Sequence, residues 1–126
     1  MRLVNPPDCP PQNPTFSQAA VSNSPATVYL AGQVGVDPAT GALAGSDVSS
    51  QTEQVFLNAR VILAAAGTSL SRVVRVTIYM TDLGEWASMN EVYQRHFGEH
   101  APPKTTVQVS ALALGARVEI EFTAEA

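Results

Sequence analysis

Val74-Arg75-Val76-Thr77-Ile78-Tyr79-Met80 alternates apolar and polar residues, and after Thr81-Asp82-Leu83-Gly84 the apolar residues Trp86, Met89, Tyr93 and Phe97 fall three to four apart, with Asn90 beside Met89. Period two predicts a strand with one face on a core, and the wider spacing predicts an amphipathic helix. Ala101-Pro102-Pro103 ends that helix, since proline cannot continue it. Upstream, Ser46-Asp47 can cap a first helix carrying Val55, Phe56, Ala59, Ile62, Leu63 and Ala66, which stops at Gly67 where a left-handed residue fits. Further upstream, residues 16–21 and 27–33 read as two strands around the turn formers Ser22-Asn23-Ser24-Pro25, which suggests a hairpin. Asp37-Pro38-Ala39-Thr40-Gly41 is a second turn.

Downstream, Thr105, Val107, Val109 and Ala111 alternate with polar residues, and Val118, Ile120 and Phe122 alternate with Glu119, Glu121 and Thr123. The order hairpin, helix, strand, helix, strand, strand predicts an α+β, two-layer fold: a mixed sheet with two helices packed on one face. Residues 5–14 carry five of the nine prolines, so residues 1–14 are expected to form an extended arm before one domain over 15–126.

The chain has 126 residues, 45% of them apolar and 14% charged, enough for one modest core. So little surface charge hints that some apolar area is hidden between subunits. Asp and Glu outnumber Lys and Arg by 11 to 7, so the basic balance that phosphate backbones favour is missing and no nucleic acid partner is expected. No apolar run suggests a signal peptide or a membrane span, and the lone Cys9 cannot form an internal disulfide, so a cytoplasmic setting is expected.

Several segments, in order, resemble the RidA/YjgF reactive-intermediate deaminase family: Phe16-Ser17-Gln18-Ala19, residues 32–41 (Gly32-Gln33-Val34-Gly35 through Gly41), Gln51-Thr52-Glu53-Gln54-Val55, Ala64-Ala65-Ala66-Gly67, residues 73–82, Asn90-Glu91-Val92-Tyr93, and Val118-Glu119-Ile120-Glu121. The resemblance runs from about residue 15 to residue 123. It implies a chorismate-mutase-like fold, a homotrimer whose sheets form a central barrel, ligand sites in clefts between subunits, and hydrolysis of amino-acid-derived enamines or imines to keto acid and ammonia. No metal or other cofactor is expected.

Such a site needs a cation for the substrate carboxylate and a polar group that orients water. The resemblance places the cation at Lys104, where the family has arginine, and the water-orienting acid at Glu119. It places Asn90, Thr106, Phe16, Ala31 and Gly32 around the substrate. Lysine keeps the charge but not the bidentate grip of arginine. Phe16, Ala31 and Thr106 stand where tyrosine, serine and cysteine are common.

Each residue also has a plainer reading: Lys104 as a solvated lysine at a strand start, Glu119 as a polar-face residue, Asn90 bonded to nearby backbone, Phe16 as packing. His96 and His100 have a spacing that can hold a metal, but no third ligand is placed to complete a site. Two functions therefore compete: an enamine/imine deaminase-like hydrolase, and a non-catalytic trimer binding a small carboxylate or keto acid between subunits. An endoribonuclease would need a basic cluster that the chain lacks.

Overall fold

The computed structural model describes residues 1–4, 7, 14–15, 17 and 19–126. In chain order the elements are β1 (Arg2–Val4), β2 (Ala19–Val21), β3 (Thr27–Tyr29), β4 (Gln33–Val34), α1 (Val48–Ala65), β5 (Val73–Met80), α2 (Trp86–Phe97), β6 (Lys104–Gln108) and β7 (Val118–Glu125). The last strand organises the sheet. β7 pairs antiparallel with β5 along one edge, and along the other first with β4 and then with β3. β6 lies parallel to β5, a pairing that needs a crossover, and α2 supplies it. This is the α+β fold the sequence predicts, with a mixed sheet and two helices.

α1 starts where expected: the Asp47 side chain accepts a hydrogen bond from the Ser50 backbone N–H at 2.9 Å. It ends on Gly67, at φ 81°, with Thr68 N–H bonded to Leu63 O and Gly67 N–H to Ala64 O, which satisfies two carbonyls of the last turn. α2 stops at Gly98, with φ 61°, three residues before the predicted Ala101-Pro102-Pro103. Phe56, Ala59 and Leu63 of α1 and Met89, Tyr93 and Phe97 of α2 meet Val76, Ile78, Met80, Val118, Ile120 and Phe122 of the sheet in one core. The odd residues of β7 before Glu125, namely Glu119, Glu121 and Thr123, are half-buried and face away from the helices.

Three expectations are corrected. β2 does not pair with β3 as a hairpin: it pairs with β1, so part of the predicted arm is a strand. The residues read as a hairpin turn serve a different contact, since Ser22 Oγ and Asn23 N–H both donate to Glu125 and carry the chain to the end of β7. In β5 the register shifts between Val73 and Arg75, so Val73 takes the buried place that strict alternation gives to Val74. β6 ends at Gln108, and its predicted apolar residues Thr105 and Val107 are exposed on the helix-free face. Phe16, Cys9 and most of residues 5–13 lie outside the described residues.

Gln51, 1% exposed, holds the start of α1 to the start of β7: it donates to Gly45 O at 2.9 Å and accepts from Arg117 N–H at 2.8 Å. Gly35 lies directly against it. A Cβ there would stand 2.4 Å from Gln51 O and 2.8 Å from Gln51 Cα, both helix backbone that cannot swing aside. Gly35→Ala is therefore expected to destabilise the protein by about 1–3 kcal/mol, read as a lower urea midpoint. An unchanged midpoint would show that β4 can move off α1 freely.

Candidate functional site

The predicted site residues separate into two groups on opposite faces of the sheet. Lys104 pairs with the buried Val76 and so points to the helix side, where its Nζ donates to Asn90 Oδ1. Asn90 is 7% exposed on α2. The same Nζ lies 4.2 Å from the ring centroid of Tyr93 and 5.2 Å from that of Trp86, within range of both π faces. Among the described residues no carboxylate pairs with it. Burial without a counter-ion pulls its pKa from 10.5 down to about 8. Thr106, two residues on in β6, is half-buried on the same face.

Glu119 belongs to the other face. It pairs with Tyr79 between the core residues Val118 and Ile120, so its side chain leaves the sheet away from the helices. Gly32 approaches it so closely that a Cβ there would stand 2.7 Å from Glu119 Oε2. Ala31 adjoins Gly32 and is exposed, its carbonyl accepting from Gln33 Nε2 at 3.1 Å. On the same face Tyr79 OH donates to Glu121 Oε1 at 2.7 Å, a bond that raises the phenol's pKa. Tyr29, 78% exposed, and Val107, 39% exposed, lie uncovered on that face.

Lys104, Asn90 and Thr106 therefore come together, as do Glu119, Gly32 and Ala31, but the sheet stands between the two groups. Gly32 lines a depression of about 420 Å³ shared with Gln33, Val36, Asn58, Val61 and Ile62. A larger one of about 700 Å³ lies beside Arg117, Gln51 and Leu112, at the start of β7, and includes none of them. The two histidines have separate tasks. His96 bonds Glu53 at 2.7 Å and stacks on Phe56, while His100 Nε2 bonds Val73 O. Among the described residues no three His, Cys, Asp or Glu side chains are grouped to hold a metal.

Sequence reasoning placed Trp86 and Tyr93 in the core by their spacing and missed that their rings enclose the Lys104 amine. One signal was available. Lys104 is the chain's one lysine, the other six cationic side chains being Arg2, Arg60, Arg72, Arg75, Arg95 and Arg117.

With this geometry in place, comparison with known proteins is informative. The family model described as Endoribonuclease L-PSP matches residues 9–126. Protein DfrA of Myxococcus xanthus is 46% identical over 109 residues, covering 86% of this chain and 83% of that protein. The 2-iminobutanoate/2-iminopropanoate deaminase of Homo sapiens is 36% identical over 109 residues, covering 86% and 78%. Among solved structures, YyfB of Yersinia pestis, from the conserved Rid protein family, has a TM-score of 0.89 at 32% identity, over 99% of this chain and 98% of that one. A family model and relatives that span nearly the whole chain establish that it belongs to the RidA/YjgF family.

Proposed function

We propose that the chain is an imine deaminase for small amino-acid-derived imines or enamines, and that it works as a homotrimer with each site assembled from two protomers. One observation carries this reading: Lys104, Asn90 and Thr106 lie on one face of the sheet and Glu119, Gly32 and Ala31 on the other. A ligand that touches both groups must lie between subunits. The uncovered Tyr29 and Val107 on the helix-free face supply apolar area for such an assembly, with the polar Tyr79 and Glu121 between the strands that carry them. The Lys104 ammonium then meets the substrate carboxylate, and Glu119 of the adjoining protomer orients water toward the imine carbon. The relative from Homo sapiens is named for this reaction. A ribonuclease reading, which the family description would suggest, is disfavoured by a net charge of −4.

The test is release of ammonia and keto acid from an imine generated in situ by an amino acid oxidase. Wild type is expected to accelerate it, and Lys104→Met to lower kcat/KM by about tenfold to a hundredfold, since a hydrogen bond to a charged group contributes about 1.5–3 kcal/mol. The same variant is expected to be more stable than wild type at pH 7. The folded-state pKa of Lys104, about 8, lies below the ordinary 10.5, so the unfolded chain binds the proton more tightly. The penalty of holding that charge is fully present below pH 8 and gone above 10.5. Urea midpoints at both ends of that window check the sign. Pyruvate binding by wild type without any turnover would favour the non-catalytic carrier instead.

A further inference from the structure

We propose that the depression beside Gly32 is the subsite for the substrate's side chain, and that it selects imines of amino acids with aliphatic side chains longer than that of alanine. The inference rests on the deaminase reading and names the substrate class within it. Two observations carry it: where the depression lies, and what lines it.

Its place follows from the edge of the sheet. β4 pairs with β7 and, among the described residues, with no other strand. Beyond it no strand separates the face that carries Glu119 from the side that carries α1. Gly32 stands at that edge and belongs to both sides. A Cβ there would lie 2.7 Å from Glu119 Oε2, and the same residue lines the depression with Val61 and Ile62 of α1. The imine carbon of a substrate carries three groups. Its carboxylate is taken by Lys104 of the adjoining protomer and its nitrogen leaves, so the side chain is the one group still without a place. With the imine carbon facing Glu119, that side chain has the depression next to it.

The lining decides the class. Val34, Val36, Pro38, Val61 and Ile62 supply its apolar wall, and no charged side chain is among the lining residues. Its two amide side chains are turned to the protein: Asn58 donates to Val36 O at 2.8 Å and accepts from Gln54 Nε2 at 2.9 Å, and Gln33 Nε2 donates to Ala31 O at 3.1 Å. An ionic side chain would give up water there for no counter-charge, whereas a hydrocarbon chain gains by leaving water. Val61 is 71% and Ile62 37% exposed, while Ala59 and Leu63 of the same helix are fully buried, so apolar surface is left for a ligand to cover. At about 420 Å³ the space falls within the range of roughly 300–1,000 Å³ for small-molecule sites.

The test is kcat/KM for imines generated in situ from alanine, 2-aminobutyrate, norvaline and leucine. Each methylene moved from water onto apolar surface strengthens binding about fourfold. The longer leucine side chain, in a groove open on one side, is therefore expected to raise kcat/KM on the order of tenfold over alanine, through a lower KM at similar kcat. Val61→Ser and Ile62→Ser are each expected to cut the leucine-to-alanine ratio about threefold or more. Leu57→Ser, one turn earlier on α1 and outside the lining, is expected to leave that ratio unchanged. Because Val61 is so exposed, its replacement leaves the core intact. Equal kcat/KM for the four imines, or a ratio that neither Val61→Ser nor Ile62→Ser moves, overturns the proposal while the deaminase reading stands. A fall in oligomer mass by light scattering in those variants assigns the groove to a second copy of the chain and overturns it as well. If none of the four imines is turned over, both fall.

Discussion

Phe56→Ala is expected to cost about 3–5 kcal/mol of stability, the range for emptying a fully buried aromatic site. Phe56 is 0% exposed at the point where α1, α2 and β7 meet. Its ring is edge-on to Tyr93, Phe97 and Phe122 at centroid distances of 5.7, 5.5 and 5.6 Å, and stacked on His96 at 4.6 Å. Alanine would remove a wall from each of these contacts at once. Helix and sheet backbone cannot close the space without breaking the pairing of β7, so little of the loss is recovered. His96 would also lose the face that holds it against Glu53. Urea titration at one fixed protein concentration reads the change, because stability depends on concentration wherever a chain self-associates. A loss below about 1 kcal/mol would mean that the three elements pack more loosely than the ring geometry indicates.

Where local chemistry decides structure, the sequence was legible. Asp47 caps α1 and Gly67 ends it through bonds to the nearest turn, and the alternation of Val118, Ile120 and Phe122 needs only one buried sheet face. Pairing between distant segments was not legible. Nothing local to Ala19–Val21 says that it will meet Arg2–Val4 rather than Thr27–Tyr29, and the deciding contacts of Ser22 and Asn23 reach Glu125, a hundred residues on. The bulge at Val73–Arg75 was hidden for a related reason, since two adjacent valines fit either register.

The candidate site divides in the same way. The residue types at Lys104, Asn90 and Glu119 were readable, because their chemistry does not depend on where they sit. Their arrangement was not, since the face of each strand depends on register against β5. Val76 opposite Lys104 and Tyr79 opposite Glu119 are an odd number of residues apart, and that parity alone sends the two side chains to opposite faces. The aromatic enclosure of Lys104 was masked as well, because Trp86 and Tyr93 satisfy the core pattern of α2 whether or not a cation lies against them.

The claim that each site is shared between protomers is tested most directly by mixing two disabled variants. Lys104→Met and Glu119→Gln are each expected to turn over imines at least tenfold more slowly than wild type, because each lacks one half of every site. Mixed trimers, formed by co-expression under different tags, contain some sites that combine an intact Lys104 from one protomer with an intact Glu119 from its neighbour. Random assembly in equal amounts makes about a quarter of the sites whole, so about a quarter of wild-type turnover is expected to return. Activity in the mixed trimers that stays at the mean of the two single variants would contradict the shared site and place Lys104 and Glu119 of one chain on the same substrate, or one of them on none.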